Sequence, residues 1–391
     1  MIKKVISIYA SGFMAGVALI MFPAAGSIFT NPDFHGFTSG QFGSIFTPQI
    51  ITAILFSLMA SRLAERFGMK TILLFGQAAL LASMLLLVST RWLFEIPLAA
   101  YILVLVSTAF LGAGFGFSIT ALNPFAYQLF KGKESSAVTA LHFFLGIGTA
   151  TSPLLMGYFS GINMWWGAPL LTAGVLLILL IFTLLLPLTL NESLQSEAGV
   201  KIKFKIPKRL WLYIMAVFFY GAIEATFGSW GSVFLEKEGG LTAARASLGL
   251  SLFWGSVALG RVIFAAIALK YSTRLLFLTA PFLLAIIYYF TPLADTEILY
   301  LAAMVLGGFA ISFLFPQTIS VATDEFPEHA AIVSGFMVAA LQLGVGFSAN
   351  LIGILSETYS LTALFQFSTV YALLFGLIIF YLSKTYKKSG A

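Results

Sequence analysis

Long apolar runs separated by short polar segments follow one another along the whole chain. The runs have 17 to 30 residues, and a helix needs about 20, within a range of about 17–25, to cross the apolar core of a bilayer. The runs are continuously apolar, whereas the strands of a transmembrane β-barrel alternate apolar and polar residues. The pattern therefore predicts an all-α membrane protein with twelve transmembrane helices, at about residues 5–29, 41–60, 71–90, 98–127, 138–160, 167–190, 211–235, 246–268, 275–291, 298–322, 331–355 and 363–383.

The composition excludes a soluble globular protein. Of the 391 residues, 60% are hydrophobic and 9% charged, and the mean hydropathy is +0.99; about a quarter of an average soluble domain is charged. The chain has no cysteine. Its polar segments contain no glycine-rich phosphate loop, metal-ligand cluster or catalytic triad. We therefore expect neither an enzyme nor a bound cofactor or metal.

The basic residues predict the orientation of the spans. With both termini in the cytoplasm, 17 of the 21 Lys and Arg fall on the inner side. Only Arg91, Lys237 and Arg245 fall outside, and Arg261 lies within a span. The positive-inside rule describes this asymmetry. Both termini are therefore predicted to be cytoplasmic, in a multi-pass cell membrane protein that we expect in a bacterial inner membrane.

The net charge of +6 follows from this topology. The basic residues are spread over six short segments rather than gathered on one face, so nucleic acid is not an expected partner. The expected partners are the lipid bilayer, a small-molecule substrate and a coupling proton or sodium ion, and we expect the protein to act as a monomer.

The longest polar segment, 191–210, divides the chain into two predicted six-helix halves, 1–190 and 211–391, joined by a cytoplasmic linker. The halves share a weak repeat. Residues 61–70 (SRLAERFGMK) follow span two, and 265–274 (AAIALKYSTR) follow span eight, so that Lys70 corresponds to Arg274. Parallel repeats of this kind place a substrate near the bilayer midplane.

The segment SRLAERFGMK resembles the loop between spans two and three of the major facilitator superfamily, usually written G-x-L-A-D-R-x-G-R-K. Ser61, Glu65 and Met69 depart from that pattern. The resemblance implies twelve helices in two halves and transport by alternating access. It also implies a gating role for Arg62, Glu65 and Arg66, whose charges can pair and meet helix ends.

Residues 218–230 (FFYGAIEATFGSW) and 251–261 (SLFWGSVALGR) are similar to spans seven and eight of the fucose–galactose–glucose:proton symporter branch. Asn123-Pro124 and residues 140–148 are similar to its spans four and five. The branch carries carboxylates in spans one and four, but here span one has none and Ile119 occupies the expected acidic place. Glu224 is therefore the only acid inside a predicted span.

Glu224 is the main candidate for proton coupling, because a carboxylate is costly in hydrocarbon and marks a wet cavity or a protein interior. The alternative is a structural carboxyl that hydrogen-bonds between helices. Arg261 is a candidate cytoplasmic gate, or a side chain that extends towards the inner face. By helical rise it lies roughly 10 Å deep and Glu224 roughly 20 Å deep. A direct ion pair would thus need extended side chains or a bridging water.

Several polar and aromatic side chains are candidates for the substrate cavity. Aromatic faces suit the apolar face of a sugar ring, and amides suit its hydroxyls. Each has packing, or satisfaction by a proline kink, as its structural alternative. His142 is a possible titratable group, or an interhelical hydrogen-bonding residue. The cavity candidates are Asn123, Tyr220, Trp230, Trp254, Gln317 and Gln342.

The leading hypothesis is a proton-coupled symporter for a sugar or similar small polar solute. The paucity of cavity polar groups leaves open an exporter of lipophilic or drug-like compounds. A membrane nutrient sensor that transports nothing is a third reading, against which the short loops argue.

Overall fold

The computed structural model describes residues 1–130, 132–190 and 207–385. Most of the predicted linker, 191–210, lies outside these residues. Within the described parts the secondary structure is helical, apart from turns and short 3₁₀ segments. The α-helices, in chain order, are α1 (Ile2–Ala24), α2 (Gly26–Thr30), α3 (Ser39–Ser44), α4 (Phe46–Phe67), α5 (Met69–Ser89), α6 (Pro97–Leu129), α7 (Glu134–Gly161), α8 (Gly167–Leu185), α9 (Lys208–Lys237), α10 (Ala243–Ala268), α11 (Arg274–Phe290), α12 (Glu297–Ile311), α13 (Leu314–Glu325), α14 (Ala330–Leu355), α15 (Leu361–Phe367) and α16 (Thr369–Thr385).

These helices make twelve segments, among the described residues, that are long and apolar enough to cross a membrane. The prediction of an all-α protein with twelve spans is confirmed. Four spans consist of two consecutive helices each: α1 with α2, α3 with α4, α12 with α13, and α15 with α16. The break between α12 and α13 follows from Pro316, which has no N–H to donate to the carbonyl four residues earlier.

The chain forms two compact units. One comprises Met1–Phe37 and Ile45–Ile202, and the other comprises Thr38–Ser44 and Lys203–Ala391. Short α3 therefore belongs to the second unit, although α4, which continues the same span, belongs to the first. In the second unit α3 packs against α14, and the backbone of Gly43 lies against that of Ala349 and Gly353.

The segment SRLAERF is helical in the structure, which corrects its reading as a loop. It forms the last two turns of α4, and the only residue between α4 and α5 is Gly68, with φ +80°. That backbone conformation is unfavourable for residues with a Cβ, which explains the glycine. The helix that contains the predicted second span, 41–60, therefore continues for seven residues beyond its predicted end.

A matching pair of basic side chains supports the internal repeat. Lys70 Nζ donates to the Leu184 carbonyl at 2.8 Å, in the last turn of α8. Arg274 donates to Ser383 Oγ at 2.9 Å, in the last turns of α16. In both units a cation at the start of the third span thus meets the end of the sixth, where carbonyl groups lack helical partners. The correspondence predicted between Lys70 and Arg274 holds in the structure.

The first and fifth spans of each unit pack through glycines. A Cβ on Gly148 of α7 would lie 2.0 Å from the Phe13 carbonyl oxygen of α1. In the second unit, a Cβ on Gly344 of α14 would lie 1.9 Å from the Phe218 carbonyl oxygen of α9. Small residues allow helix backbones to approach this closely in a membrane. Gly148 and Gly344 thus allow the first and fifth spans of each unit to pack closely.

The side chain of His35 stabilises the connection between the first two spans. Its side chain is buried among aromatic rings, with the Phe94 ring centroid at 4.9 Å and that of Trp165 at 5.4 Å. Its Nε2 lies 2.9 Å from Thr90 Oγ1, whose own hydrogen is donated to the Leu87 carbonyl. Burial lowers the pKa of His35 to about 4, against a smaller opposing effect of a backbone hydrogen bond to Ile28.

We predict that His35 makes the protein acid-labile. Because its folded-state pKa lies below the unfolded value of about 6.5, the unfolded chain binds more protons between these pH values. The His35 contribution to the free energy of unfolding is complete above about pH 6.5. It falls by up to about 3 kcal/mol as the pH drops to about 4.

The measurement is the thermal unfolding midpoint across pH 4 to 7. His35→Gln, which keeps a donor for Thr90, should flatten this part of the curve relative to wild type. Parallel curves for wild type and His35→Gln would contradict the prediction.

Candidate functional site

The candidate site in the second unit begins with two residues one turn apart on α9. The Tyr220 hydroxyl donates to Glu224 Oε2 at 3.0 Å. A separation of four residues places both side chains on one face of the helix. Tyr220 is fully buried, with Phe315 stacked on its ring at 5.5 Å, whereas Glu224 is partly exposed. A carboxyl deep in a span is thus held by a buried phenol, while part of the surface of Glu224 remains exposed.

Arg261 on α10 approaches the same carboxyl. It interacts electrostatically with Glu224 and with Tyr220, although no direct ion pair joins it to Glu224 in the part of the chain described. Separation rather than a direct ion pair agrees with the depth difference expected from the sequence. The guanidinium is instead anchored through Nε, which donates to the Ser312 carbonyl at 3.2 Å.

The proline in α13 explains why this carbonyl is available. Pro316 lies four residues after Ser312 and provides no backbone N–H, so the Ser312 carbonyl has no helical donor. Gly260 allows the close approach, because a Cβ there would lie 2.4 Å from Ser312 Oγ. The Gly260-Arg261 pair therefore packs α10 against the break between α12 and α13, and it fixes the stem of the arginine.

Trp254, two turns before Arg261 on α10, carries a donor without an acceptor. Its side chain is buried, at 9% exposure, and Nε1 has no hydrogen-bond partner among the described residues. The indole lies over Gly228 of α9, where a Cβ would be 2.8 Å from Trp254 Cζ2. A buried donor left unpaired costs about 1–3 kcal/mol, so a water or ligand acceptor at this place would be stabilising.

Tyr220, Glu224, Trp254 and Arg261 are called the α9–α10 cluster below. The residues Tyr220, Glu224 and Gly228 are spaced by four on α9, and Trp254 and Arg261 by seven on α10, so each set occupies one helix face. The cluster combines one carboxylate, one guanidinium, a phenol and an unpaired indole N–H. It can accept and donate hydrogen bonds, and Glu224 can exchange a proton.

Trp230 has a different environment from Trp254. Its side chain is fully buried, its Nε1 donates to the Ala349 carbonyl at 3.1 Å, and the ring of Phe42 covers it at 4.9 Å. In this conformation the indole presents neither a free N–H nor a free face. The geometry favours a packing role for Trp230, and its assignment to a substrate cavity stays a prediction.

Asn123 and His142 form a pair in the first unit. Asn123 Nδ2 donates to the Ile119 carbonyl at 3.1 Å, and His142 Nε2 lies 3.2 Å from Asn123 Oδ1. Because the amide oxygen can only accept, Nε2 must carry the hydrogen. Both side chains are partly exposed. The structure thus joins two residues that the sequence presented as separate candidates.

The remaining candidates are partly buried or exposed. The side-chain amides of Gln317 and Gln342 are half-buried, without hydrogen bonds in the described part of the chain. Arg62, Glu65 and Arg66 are exposed on α4, and Arg66 lies over the Phe67 ring at 5.2 Å. Their roles in substrate binding and gating stay predictions.

Sequence reasoning missed Gln49 on α4. Its side chain is buried, at 8% exposure, and Oε1 has no partner among the described residues. The signal was present in the sequence, because Pro48-Gln49 repeats the Pro316-Gln317 dipeptide that marked Gln317. A buried amide oxygen without a donor is a second place where a ligand or water hydroxyl would fit.

A sequence model of the Major Facilitator Superfamily matches residues 5–349 and, in a second match, residues 240–391. The chain belongs to the Major Facilitator Superfamily. It is therefore a multi-pass cell membrane protein of a transporter family and not an enzyme. This confirms the resemblance found in residues 61–70.

Curated relatives are sugar transporters. The chain is 24% identical over 293 residues to the glucose/mannose transporter GlcP of Bacillus subtilis, covering 71% of each protein. It is 25% identical over 295 residues to a putative glucose/galactose transporter of Helicobacter pylori, covering 69% of this chain and 70% of the relative. These relatives agree with the predicted sugar:proton symporter branch.

Solved structures show the same fold at low sequence identity. A mutant of the nucleoside transporter NupG gives a TM-score of 0.79 at 14% identity, covering 97% of this chain and 99% of the other. A D-xylose-proton symporter gives 0.75 at 15% identity, covering 99% and 98%.

We predict that Gly228→Ala disturbs the α9–α10 cluster. The added methyl group would overlap the Trp254 ring, and overpacking of this kind costs about 1–3 kcal/mol. Gly335→Ala is the matched control, because Gly335 lies in α14 with open space at its Cβ. The measurements are the thermal unfolding midpoint and tryptophan fluorescence. Equal midpoints and equal spectra for the two variants would contradict the packing of Trp254 on Gly228.

Proposed function

We propose that this protein is a proton-coupled symporter for a hexose or a similar polyhydroxylated solute, working by alternating access. The observation that carries the proposal is the α9–α10 cluster. Glu224 lies deep in a span, bonded to Tyr220, near Arg261, and still partly exposed. An ionisable residue at this depth that remains accessible is typical of a substrate or proton pathway.

Glu224 is suited to couple proton movement to a conformational change. As a carboxylate it accepts the Tyr220 hydrogen bond and attracts the Arg261 guanidinium. Protonation removes the negative charge and with it the attraction for Arg261. Since Arg261 is anchored at the break between α12 and α13 through Ser312, the change of charge acts on the segment around that break. We propose that Arg261 in this way couples the protonation state of Glu224 to the positions of α12 and α13.

A sugar hydroxyl fits the chemistry of the cluster. Each hydroxyl can donate one hydrogen bond and accept others, so it can satisfy the unpaired Trp254 N–H and bond to the Glu224 carboxylate. The indole also offers an apolar surface to the C–H face of a pyranose ring. The glucose-related substrates in the names of the relatives support a hexose as the solute.

The other predicted cavity residues enter the proposal as further hydrogen-bonding groups. Gln317 and Gln342 are partly exposed amides of the second unit, and we propose that they form hydrogen bonds with additional hydroxyls. Asn123 of the first unit, whose amide is bonded to Ile119 and His142, stays a predicted cavity residue. Arg62, Glu65 and Arg66 are proposed to act in gating. Export of lipophilic compounds is the alternative; the combination of a carboxylate, a guanidinium and an unpaired N–H favours a polar solute over it.

Glu224→Gln tests the coupling. The amide keeps the shape and a hydrogen-bond acceptor for Tyr220 but cannot take up a proton. In proteoliposomes, exchange of labelled sugar between equilibrated compartments should persist, whereas accumulation driven by an inward proton gradient should fall to background. Glu95→Gln, at an exposed carboxyl between two spans, is the control and should behave as wild type.

Three results would change this view. Undiminished accumulation in Glu224→Gln would remove Glu224 from coupling. Equal loss of exchange and accumulation at normal thermal stability would make Glu224 an obligatory sugar ligand. Equal loss accompanied by lower stability would make it a structural carboxyl.

Substrate identity can be tested by ligand-induced stabilisation. A ligand present at 100 times its Kd raises the free energy of unfolding by about 2.7 kcal/mol. Glucose, mannose and galactose should raise the unfolding midpoint of the wild-type protein, and Trp254→Phe, which lacks the N–H, should respond less. Stabilisation by lipophilic cations and none by sugars would favour the exporter.

A further inference from the structure

An open apolar groove of about 580 Å³ lies in the first unit, between α1 and α7. Val5, Tyr9 and Phe13 line it from α1, and their spacing of four residues places them on one face of that helix. Ala140 and Phe144 line it from α7. Its walls are almost entirely carbon, because the Tyr9 hydroxyl donates to the Ala137 carbonyl at 3.0 Å.

Aromatic rings give the groove its shape. The Tyr9 ring centroid lies 5.5 Å from that of Phe144 and 6.5 Å from that of Phe130, in edge-to-face arrangements. The small side chain of Ala140 keeps the space between these rings open. A groove of this volume suits an alkyl chain better than a compact polar solute, since it offers no polar side-chain group for hydroxyls.

Basic residues stand at the end of the groove. Lys3 and Lys4 directly precede the lining residue Val5 in α1. Lys133 N donates to the carbonyl of Phe130, another lining residue, at 3.0 Å, and Lys133 is exposed. The neighbouring Glu134 is already engaged: Oε1 accepts from Gly132 N at 2.7 Å, and backbone hydrogen bonds, that of Gly132 first, lower its pKa.

We propose that this groove binds one anionic phospholipid. An acyl chain occupies the space between α1 and α7, and the phosphate lies among Lys3, Lys4 and Lys133. Lys3, Lys4 and Lys133 lie at the ends of α1 and α7 that are predicted to face the cytoplasm. The cytoplasmic leaflet of a bilayer exposes anionic headgroups. Clustered cations beside a membrane helix attract such headgroups, while an apolar groove of defined shape holds the chain. The site is separate from the α9–α10 cluster and does not depend on the proposed sugar transport.

The test measures lipid-induced stabilisation of the purified full-length protein in a neutral detergent. The probes are phosphatidylglycerol and phosphatidylcholine with identical acyl chains. Phosphatidylglycerol should raise the unfolding midpoint at lower concentration. A variant with Lys3→Gln, Lys4→Gln and Lys133→Gln should need at least about tenfold more of it, since each cation near a lipid surface is worth about fivefold in affinity.

Two further variants separate a built site from general charge. Lys208→Gln, Lys270→Gln and Lys384→Gln together remove the same charge from the second unit and should leave the response unchanged. Ala140→Trp fills the groove and should abolish the preference for phosphatidylglycerol while all lysines remain; Ala140→Leu replaces it if the larger side chain prevents folding. Equal responses to the two lipids, or equal losses in both triple variants, would overturn the proposal.

Discussion

In apolar surroundings a polar group within a span is costly unless it has a partner inside the protein, and much of this structure follows from that constraint. The carbonyl of Ser312, left without a helical donor by Pro316, is bonded by Arg261. Carbonyl groups in the last turns of α8 and α16 accept hydrogen bonds from Lys70 and Arg274, respectively. The carboxylate of Glu224 accepts a hydrogen bond from the hydroxyl of Tyr220, which is fully buried. In each case the position of a polar side chain is set by a backbone or side-chain group with which it forms a hydrogen bond.

The same constraint explains why polar groups that remain unpaired are candidate positions for a ligand or a water molecule. The indole N–H of Trp254 and the amide oxygen of Gln49 are buried without partners in the described residues. Leaving such groups unsatisfied is costly, so they are places where an incoming hydroxyl or a water gains most. For a member of a transporter superfamily, we propose that these two unpaired groups serve ligand binding. A binding site that must release its ligand cannot be satisfied completely by its own protein.

The internal repeat is visible in chemistry rather than in sequence identity. Lys70 and Arg274 are different residues at corresponding positions, yet both cations meet the end of the sixth helix of their unit. Gly148 and Gly344 likewise bring the fifth span against the first in each unit. The two units share a donor at a helix end and a close approach between helix backbones. The two units differ where function is proposed, since the second contains Glu224 and the first contains the Asn123–His142 pair.

The fold class and the approximate positions of the spans follow from the amino-acid sequence alone. The length of an apolar run can be counted along the sequence. A helix in a bilayer forms its backbone hydrogen bonds within itself, so the positions of the spans can be predicted without the tertiary structure. The isolated acid Glu224, its helix-face neighbour Tyr220 and the superfamily resemblance were readable for similar reasons. Extending α4 through residues 61–67 was not predicted, because polar helical turns beyond the bilayer resemble a loop in hydropathy.

Only the tertiary structure decided which candidate side chains have partners. Trp230 and Trp254 look alike in the sequence, yet Ala349 and Phe42 complete the surroundings of Trp230, while Trp254 keeps a free donor over Gly228. Asn123 and His142 are 19 residues apart and become a pair only through the packing of α6 and α7. Hydrogen bonds between helices depend on rotation and depth, which the apolar pattern does not encode. The chemistry of the candidate site is therefore a property of packing, built on a framework that the sequence alone predicts.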